Sequence, residues 1–342
     1  MGIGGGHVPI RLGIIGYGYW GPNLLRNFAD CAGAAVHACA ELQPERRAVA
    51  QQRYPAVAVT ADAEAVLTDP AVDAVAIATP VSTHYRLAKL ALAHGKHVLV
   101  EKPMTDGVGE AEELIALARR NGCVLMVDHT FVYTGAVRRM KAIVAGGELG
   151  ELHYFDAVRI NLGLFRHDVD VLWDLAPHDL AILTHLVPEP PRAVSAVGAQ
   201  HTGSGLVDVA YMTLHYADNF IAHLHVNWLS PVKLRQMLIG GSRRMLVYDD
   251  VEPSEKVRVY DRGIDITTRE SVHRTLVDYR TGDMWAPKVD LREALAVECE
   301  HFVACVRDAS EPLTGGEAGL RVVRLLEAAG RSLAEGGRQV PL

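Results

Sequence analysis

The sequence predicts an α/β doubly wound parallel sheet, followed by an α+β domain with a large, mostly antiparallel open sheet. Up to residue 128, short continuous apolar runs alternate with helical patterns, which is typical of a parallel sheet covered on both faces. Beyond that point, longer segments alternate apolar and polar residues, which indicates one covered face. We therefore place a first domain at residues 1–128 and a second at 129–342, whose C-terminal helices can pack back on the first.

The first domain alternates strand and helix candidates, and right-handed crossovers between parallel strands then give a doubly wound fold. Residues 1–8 are rich in glycine and are expected to be disordered. Helical patterns between the strands include Tyr85–His94 and Glu110–Asn121. The strand candidates are Ile10–Ile15, Ala34–Ala40, Ala56–Val59, Ala74–Ala78, His97–Val100 and Cys123–Val127.

The second domain begins with a predicted helix at Ala136–Ala145, and a further helix beginning near Leu175 interrupts its strands. Two helical patterns close the chain, Arg292–Val306 and Ala318–Leu333. The strand candidates are Leu152–Asn161, Ala193–Ala199, Ala210–Tyr216, Asn219–Trp228 and Lys233–Ile239.

Composition indicates an ordinary globular protein, with 342 residues, 49% hydrophobic and 22% charged, long enough for two cores. The net charge of −7 gives no electrostatic reason to bind nucleic acid or an acidic membrane surface. We expect no membrane helix, since no apolar run reaches the ~18–20 residues that one needs, and no secretory signal. Five cysteines, an odd number without CxxC spacing, predict free thiols and a reducing cytoplasm.

Metal binding is not expected, because no cluster of histidine, cysteine and acidic residues has the spacing of metal ligands. His223 and His225 alternate along one strand candidate. Two histidines are too few to hold a metal ion, so we interpret them as packing or interface residues.

A glycine-rich turn, GYGYWG at residues 16–21, follows the first strand candidate and precedes a helical pattern. Gly16 would permit the tight turn, Gly18 the close approach of a pyrophosphate, and Gly21 the packing of the helix on the sheet. This pattern predicts a dinucleotide site. The aromatic residues of the turn flank the cofactor or pack against the second domain, and they are Tyr17, Tyr19 and Trp20.

Glu41 ends the next strand, 20 residues beyond Gly21. Its carboxylate can accept hydrogen bonds from the ribose hydroxyls and would repel a 2′-phosphate, which favours NAD over NADP. Arg46 and Arg47 follow. They either pair with such a phosphate or form an exposed first helical turn, so NADP stays possible.

The segment HVLVEKP at residues 97–103 ends the fifth strand at the carboxyl edge of the sheet. It resembles the EKP motif of the Gfo/Idh/MocA oxidoreductases, the glucose–fructose oxidoreductase and inositol dehydrogenase family. The resemblance covers almost the whole chain. The further segments that carry it are Ala78-Thr79-Pro80 with His84 beyond, Asp174–His178, Glu298–Phe302 and Gly315–Ala318.

The resemblance implies a Rossmann domain, a nicotinamide cofactor and sugar or polyol substrates. It also implies a homo-oligomer, a dimer or tetramer, formed through the exposed face of the open sheet. The residues that it assigns to the cofactor, besides the glycine-rich turn and Glu41, are Thr79, Pro80, His84, Glu101 and Lys102.

Within the family, the segments Asp128–Tyr133, Arg159–Gly163 and Trp173–His178 most resemble members that act on nucleotide sugars, some of which oxidise the 3-hydroxyl of UDP-N-acetylglucosamine. The inositol and simple polyol pattern is incomplete. Residues 170–172 stand where glycines are common, and Ala181 stands where an aspartate often follows the histidine.

Oxidation of a secondary alcohol needs a hydride acceptor, a base, and a group that stabilises the developing oxygen charge. His178 is the candidate base, and Asp174, four residues earlier on the same helical face, can orient it. Lys102 can polarise the oxygen or itself shuttle the proton. His129, Tyr133 and Arg159 contact the substrate or serve packing; Asp174 and His178 are expected to contact it too.

Three alternatives remain. The enzyme can act on an inositol or a free aldose, it can reduce a keto-sugar, or the chain can be an NAD-binding regulator without turnover. Taken alone, the EKP segment is also compatible with a solvated surface turn. Asp174 and His178 are likewise compatible with a helix cap and a packed histidine, and Asp179 with a surface residue of that helix.

Overall fold

The computed structural model describes residues 8–163, 169–265 and 278–342. The sequence predicts disorder for residues 1–8. Of these, residues 1–7 lie outside the described part of the chain. The chain divides into two compact units, Met1–Tyr133 with Arg292–Arg324, and Thr134–Leu291 with Leu325–Leu342. The first unit thus extends beyond the boundary placed at residue 128 and also includes a C-terminal segment.

The described part of the first unit contains a six-stranded parallel sheet in the order β3-β2-β1-β4-β5-β6. The predicted doubly wound sheet is therefore confirmed. Strand order reverses between β1 and β4, and ligands of such sheets bind beyond the carboxyl ends of the strands at this point. The strands are β1 (Ile10–Ile15), β2 (Ala34–Ala40), β3 (Ala58–Thr60), β4 (Ala74–Ile77), β5 (His97–Glu101) and β6 (Leu125–Asp128).

Helices cover the sheet because each presents an apolar face to it. Leu24, Leu25 and Phe28 of α1 are buried, and the Phe28 ring meets Phe302 of α8 edge to face, with ring centroids 6.1 Å apart. A 3₁₀ helix occupies Thr130–Tyr133. The α-helices of this unit are α1 (Gly21–Asp30), α2 (Pro44–Arg53), α3 (Ala63–Thr68), α4 (Val81–Ala93), α5 (Val108–Arg120), α8 (Ala294–Asp308) and the first part of α9 (Gly316–Ala334).

In the second unit, the described residues form a nine-stranded sheet in the order β16-β13-β12-β11-β7-β10-β9-β8-β17. The β7–β10 pair is parallel and the other pairs are antiparallel, as the sequence predicts for most of the sheet. The strands are β7 (Leu152–Ile160), β8 (Ala193–Ala199), β9 (Val209–His215), β10 (Ile221–Asn227), β11 (Leu234–Gly241), β12 (Met245–Asp249), β13 (Val257–Tyr260), β16 (Met284–Trp285) and β17 (Val340–Pro341); a separate hairpin pairs β14 (Gly263–Asp265) with β15 (Asp278–Arg280).

One face of this sheet is covered, because alternate residues of β7 such as Phe155, Ala157 and Arg159 are buried. Helices α6 (Gly135–Ala145) and α7 (Val171–Leu186) belong to the same unit. The sequence predicts that this helix begins near Leu175, whereas α7 begins at Val171, one turn earlier. Asp170 caps the helix by accepting a hydrogen bond from the Trp173 N–H, 3.0 Å away.

The opposite face of the sheet carries side chains that are partly exposed. Tyr211 of β9 is 43% exposed, and its ring stacks on His225 of β10 with centroids 4.4 Å apart. His223 lies on the same face, 6.1 Å from the Tyr211 ring. Within the described ranges, no helix has both the length and the apolar character needed to cross a bilayer.

Candidate active site

The glycine-rich turn lies between β1 and α1, at the carboxyl edge of the parallel sheet. Gly16 has a φ of +92°, and a Cβ added there would lie 2.5 Å from the Ala78 carbonyl oxygen. A Cβ on Gly21 would lie 2.0 Å from the Gly16 carbonyl oxygen. Both positions therefore require glycine, for the tight turn and for the close start of α1.

The backbone of Gly18 is the open part of the turn. The nearest atom to a Cβ added at Gly18 is Nη1 of Arg46, at 3.3 Å. A guanidinium thus lies beside the segment that a dinucleotide phosphate would approach, and the positive end of the α1 dipole adds to the same field. Tyr19 is 79% exposed beside it and stacks on Trp20.

Glu41 fixes the geometry at the end of β2, where the residue is buried, with 8% exposure. Its Oε2 accepts a hydrogen bond from the Tyr17 N–H at 2.6 Å, and its Oε1 accepts one from the Gln43 N–H at 2.9 Å. Each oxygen keeps a second lone pair that can accept a hydrogen bond from a ribose hydroxyl. Arg47 donates to the carbonyl oxygens of Glu41 and Leu42, so it braces this loop.

His84 connects the loop after β4 with the EKP segment. Its ring nitrogens lie 2.8 Å from the Thr79 carbonyl oxygen and 2.9 Å from the Pro103 carbonyl oxygen. Burial lowers the pKa of His84, and a neutral ring has one N–H, so it donates to one carbonyl at a time. His84 is therefore a brace between the loop after β4 and the backbone of Pro103, which directly follows Lys102.

Lys102 follows Glu101 at the end of β5 and is half-buried; the Lys102–Pro103 peptide bond is cis. Glu101 pairs in register with Asp128 across β5 and β6. The Lys102 charge contributes to lowering the pKa values of both His84 and His129. A cation thus lies at the carboxyl edge of the sheet, where the sequence places the chemistry.

His129 and Tyr133 both lie in the interior of the first unit, each 3% exposed. Burial, assisted by the Lys102 charge, lowers the pKa of His129 to about 3, so its ring is neutral near pH 7. Neither ring nitrogen of His129 has a hydrogen-bond partner among the described residues. The Tyr133 hydroxyl lies 3.0 Å from Oγ1 of Thr314, which favours the packing role for Tyr133 over contact with substrate.

In the second unit, α7 contains both Asp174 and His178, which confirms that they share a helix at i, i+4 spacing. Both side chains are half-buried. The indole N–H of Trp228, which is 1% exposed, donates to Asp174 Oδ2 at 3.0 Å. A carboxylate four residues from the candidate base is thus anchored to the end of β10.

Arg159 and Asp179 form an ion pair between β7 and α7. The Arg159 guanidinium donates to the Asp179 carboxylate at 2.6, 3.0 and 3.1 Å, and the two side chains are 2% and 3% exposed. The expectation of a surface position for Asp179 was wrong, because the residue after His178 points inward to a buried cation. For Arg159 the pairing favours the packing role.

Sequence reasoning gave no role to Asp128 or Glu298, which lie together in the interior of the first unit. The indole N–H of Trp20 donates to Asp128 Oδ2. An indole N–H needs an acceptor, so Trp20 in the glycine-rich turn was the one signal in the sequence that pointed to such a partner. No group of three or more potential metal ligands occurs in the part of the chain that the structure describes.

Comparison with known proteins identifies the family. Residues 10–129 match the model of the oxidoreductase family with an NAD-binding Rossmann fold, and residues 137–247 match the Gfo/Idh/MocA C-terminal domain. The chain belongs to the Gfo/Idh/MocA oxidoreductase family. It is therefore an NAD(P)-dependent enzyme that acts on CH–OH groups of sugar-like substrates, as relatives across the family do.

Named relatives extend over most of this Gfo/Idh/MocA chain. It is 30% identical to UDP-N-acetylglucosamine 3-dehydrogenase of Acidithiobacillus ferrooxidans over 92% of this chain and 95% of that protein. It is 25% identical to D-apiose dehydrogenase of Paraburkholderia graminis over 94% of this chain and 87% of that protein. The solved structure of the first enzyme, GnnA, superposes with a TM-score of 0.82 and 26% identity, covering 96% of this chain and 99% of that one.

Proposed function

We propose that the chain oxidises the 3-hydroxyl of a UDP-linked hexosamine and passes the hydride to NAD. The observation that carries this proposal is the similarity to UDP-N-acetylglucosamine 3-dehydrogenase, which extends over 92% of this chain and 95% of that enzyme. A fold alone does not define a substrate. A similarity that continues through the second unit supports a related substrate better than a match to the dinucleotide-binding unit alone.

The first unit has the features that a dinucleotide requires: the glycine-rich turn, the N-terminus of α1 and the Glu41 carboxylate. When bound, NAD supplies the hydride acceptor. In this proposal the turn holds the pyrophosphate, and the Glu41 carboxylate accepts hydrogen bonds from the hydroxyls of the adenosine ribose. Thr79 and Pro80 border the site, and His84 keeps their loop in place.

The remaining chemistry belongs to side chains of the protein. His178 removes the proton from the reacting hydroxyl as hydride leaves the carbon, and Asp174, anchored by Trp228, orients the imidazole. The Lys102 ammonium stabilises the negative charge that develops on the oxygen. His129 stays neutral and, with both ring nitrogens buried, takes the packing role. Lys102 as the proton acceptor is the alternative assignment within the same reaction.

Preference for NAD follows from Glu41, whose carboxylate repels a 2′-phosphate. Arg46 acts in the opposite direction, because it lies in the first turn of α2, shortly after Glu41, and its guanidinium can pair with that phosphate. We propose NAD as the main cofactor and NADP as a weaker one.

The homo-oligomer is part of the same proposal. The outer face of the large sheet presents Tyr211, His223 and His225 together with the exposed apolar residues Val197 (52%) and Ile221 (46%). We propose that a second copy covers this face. All five cysteines are free thiols, which supports a reducing compartment, and we place the activity in the cytoplasm.

A second candidate function is oxidation of a free aldose, favoured by the similarity to D-apiose dehydrogenase over 94% of this chain. Reduction of a keto-sugar is the same reaction in reverse. A regulator that binds NAD without turnover is disfavoured, since both Lys102 and His178 are present.

The proposal is tested by nicotinamide absorbance in the purified protein, with NAD and with NADP, against UDP-N-acetylglucosamine, other UDP-sugars, D-apiose and scyllo-inositol. We expect NAD reduction with the UDP-hexosamine. Lys102→Ala is expected to abolish turnover while NAD still binds. Lys89→Ala is the matched control, because it removes a lysine of the same unit from a surface pair with Glu113.

Reduction of NAD by D-apiose but by no UDP-sugar would replace the substrate assignment. If no sugar reduces NAD although NAD binds normally, the next test is oxidation of NADH by keto-sugars. A negative result there would favour the NAD-binding regulator. Normal turnover in Lys102→Ala would remove Lys102 from the mechanism.

A further inference from the structure

Asp128 is the centre of a buried polar cluster at the carboxyl end of β6, where it is 1% exposed. The indole N–H of Trp20 donates to Asp128 Oδ2 at 2.6 Å, and the Thr130 hydroxyl donates to Oδ1. Trp20 belongs to the glycine-rich turn and directly precedes α1. One carboxylate therefore ties this turn to the edge of the sheet. Asp128, Trp20, Thr130 and Glu298 all belong to the first unit.

Glu298, on α8, is fully buried, with 0% exposure. Neither of its carboxyl oxygens accepts a hydrogen bond of ordinary geometry from a donor among the described residues. Its close polar neighbours are Asp128 and Thr130, and Glu101 lies near enough to add negative charge. An ionised carboxylate in these surroundings would lose its hydration and face a second carboxylate, and the Thr130 hydroxyl, which donates to Asp128, would compensate it little.

A protonated Glu298 resolves this conflict, because a carboxylic acid carries an O–H that can donate to Asp128. Burial first, and then the charge of Asp128, raise the pKa of Glu298 well above its ordinary value. Burial also raises the pKa values of the neighbouring Tyr133 hydroxyl and Cys299 thiol. His129 stays neutral, so it adds no charge to the cluster.

We propose that Asp128 and Glu298 share one proton, and that this acid pair holds Trp20, and with it the glycine-rich turn, in the conformation that binds the cofactor. Two close carboxylates commonly retain one proton because both cannot ionise together. The single remaining charge stays on Asp128, where it strengthens the hydrogen bonds from Trp20 and Thr130. Asp128 and Glu298 are positioning residues, and the inference rests on the proposed function only in taking residues 16–21 as the cofactor turn.

The binding test uses fluorescence titration with NADH on the full chain at neutral pH. Glu298→Gln keeps a neutral donor of the same shape, so we expect its Kd to stay within about twofold of the wild type. Asp128→Asn removes the charged acceptor and should weaken NADH about tenfold, and Trp20→Phe about fivefold. The double variant Trp20→Phe/Asp128→Asn should be no weaker than Asp128→Asn alone, since both remove one interaction.

Glu300→Gln is the matched control, because Glu300 lies on the same helix and its side chain is 53% exposed. We expect it to behave as the wild type. Thermal unfolding and circular dichroism verify that each variant is folded. The proposal is overturned if Glu298→Gln weakens NADH as much as Asp128→Asn does, or if the effects of Trp20→Phe and Asp128→Asn multiply.

The shared proton is tested directly by infrared spectroscopy. The difference spectrum between wild type and Glu298→Gln at neutral pH should contain the C=O stretch of a protonated carboxylic acid, and the difference spectrum between wild type and Glu300→Gln should not. An unchanged spectrum in Glu298→Gln would show that Glu298 is ionised and would overturn the shared proton. If the wild type failed to bind NADH at all, the cofactor assignment itself would fail, while the infrared result would still decide the protonation.

Discussion

Arg159→Met is expected to destabilise the second unit strongly, because it leaves the Asp179 carboxylate buried without its cation. Both side chains are nearly inaccessible, at 2% and 3% exposure, and the guanidinium donates to the carboxylate at 2.6, 3.0 and 3.1 Å. Removal of one partner from such a pair costs about 3–5 kcal/mol. For a unit of roughly 150–250 residues, this corresponds to a decrease in Tm of roughly 10 °C.

The assay is urea and thermal denaturation of Arg159→Met, of Asp179→Leu and of the double variant. The double variant should recover most of the lost free energy of unfolding, to within about 2 kcal/mol of the wild type, since it buries no unpaired charge. Arg86→Met is the control. It removes an exposed pair with Glu64, in which both side chains are 62% exposed, and should have no measurable effect.

A loss below about 1 kcal/mol in Arg159→Met, or additive losses in the double variant, would contradict a stabilising role of the ion pair. Either result would mean that the ion pair does not hold α7 on the sheet. Activity of the double variant adds a second readout. If turnover survives while both charges are gone, Arg159 makes no essential contact with the substrate.

Further predictions concern the turn, the cofactor and acid stability. Gly16→Ala places a Cβ 2.5 Å from the Ala78 carbonyl oxygen at a φ of +92°, so NADH titration should show loss of binding; unchanged affinity would contradict the tight turn. Glu41→Ala should weaken NAD far more than NADP, and equal weakening in titrations would remove Glu41 as ribose ligand. His129 has a folded pKa of about 3 against 6.5 for the free side chain, so the unfolded chain binds the extra proton and stability falls as pH drops through this range. In His129→Leu the slope of unfolding free energy between about pH 6 and 4 should decrease by about 1.4 kcal/mol per pH unit in urea titrations, and an unchanged slope would contradict a buried neutral ring.

The fold was predictable where local patterns determine structure. Strands Ile10–Ile15, Ala34–Ala40 and Ala193–Ala199 have the predicted bounds, because each is an apolar or alternating run ended by turn residues. Strands β12, β13, β16 and β17 were missed. They are short or interrupted by charged residues, and the neighbouring strands of the sheet, rather than local periodicity, determine that they pair.

The site was predictable in its sequence motifs and less so in its interior. The residues in the glycine-rich turn lie together because they are adjacent in sequence, and Asp174 and His178 because they share one helix. Asp179 pairs with a residue 20 positions away on another element, and sequence alone does not show that pairing. Asp128 and Glu298 were missed for the same reason, since they lie far apart in the sequence and only the fold brings them together.

Hydride transfer is tested most directly with UDP-N-acetylglucosamine carrying deuterium at carbon 3. The account predicts that, with NAD and wild-type protein, the deuterium appears in the reduced nicotinamide, and that Lys102→Ala gives none. Reduced nicotinamide without deuterium would place the oxidation at another carbon. Absence of reduction with this and every other sugar tested, in protein that binds NAD, would contradict the proposed dehydrogenase.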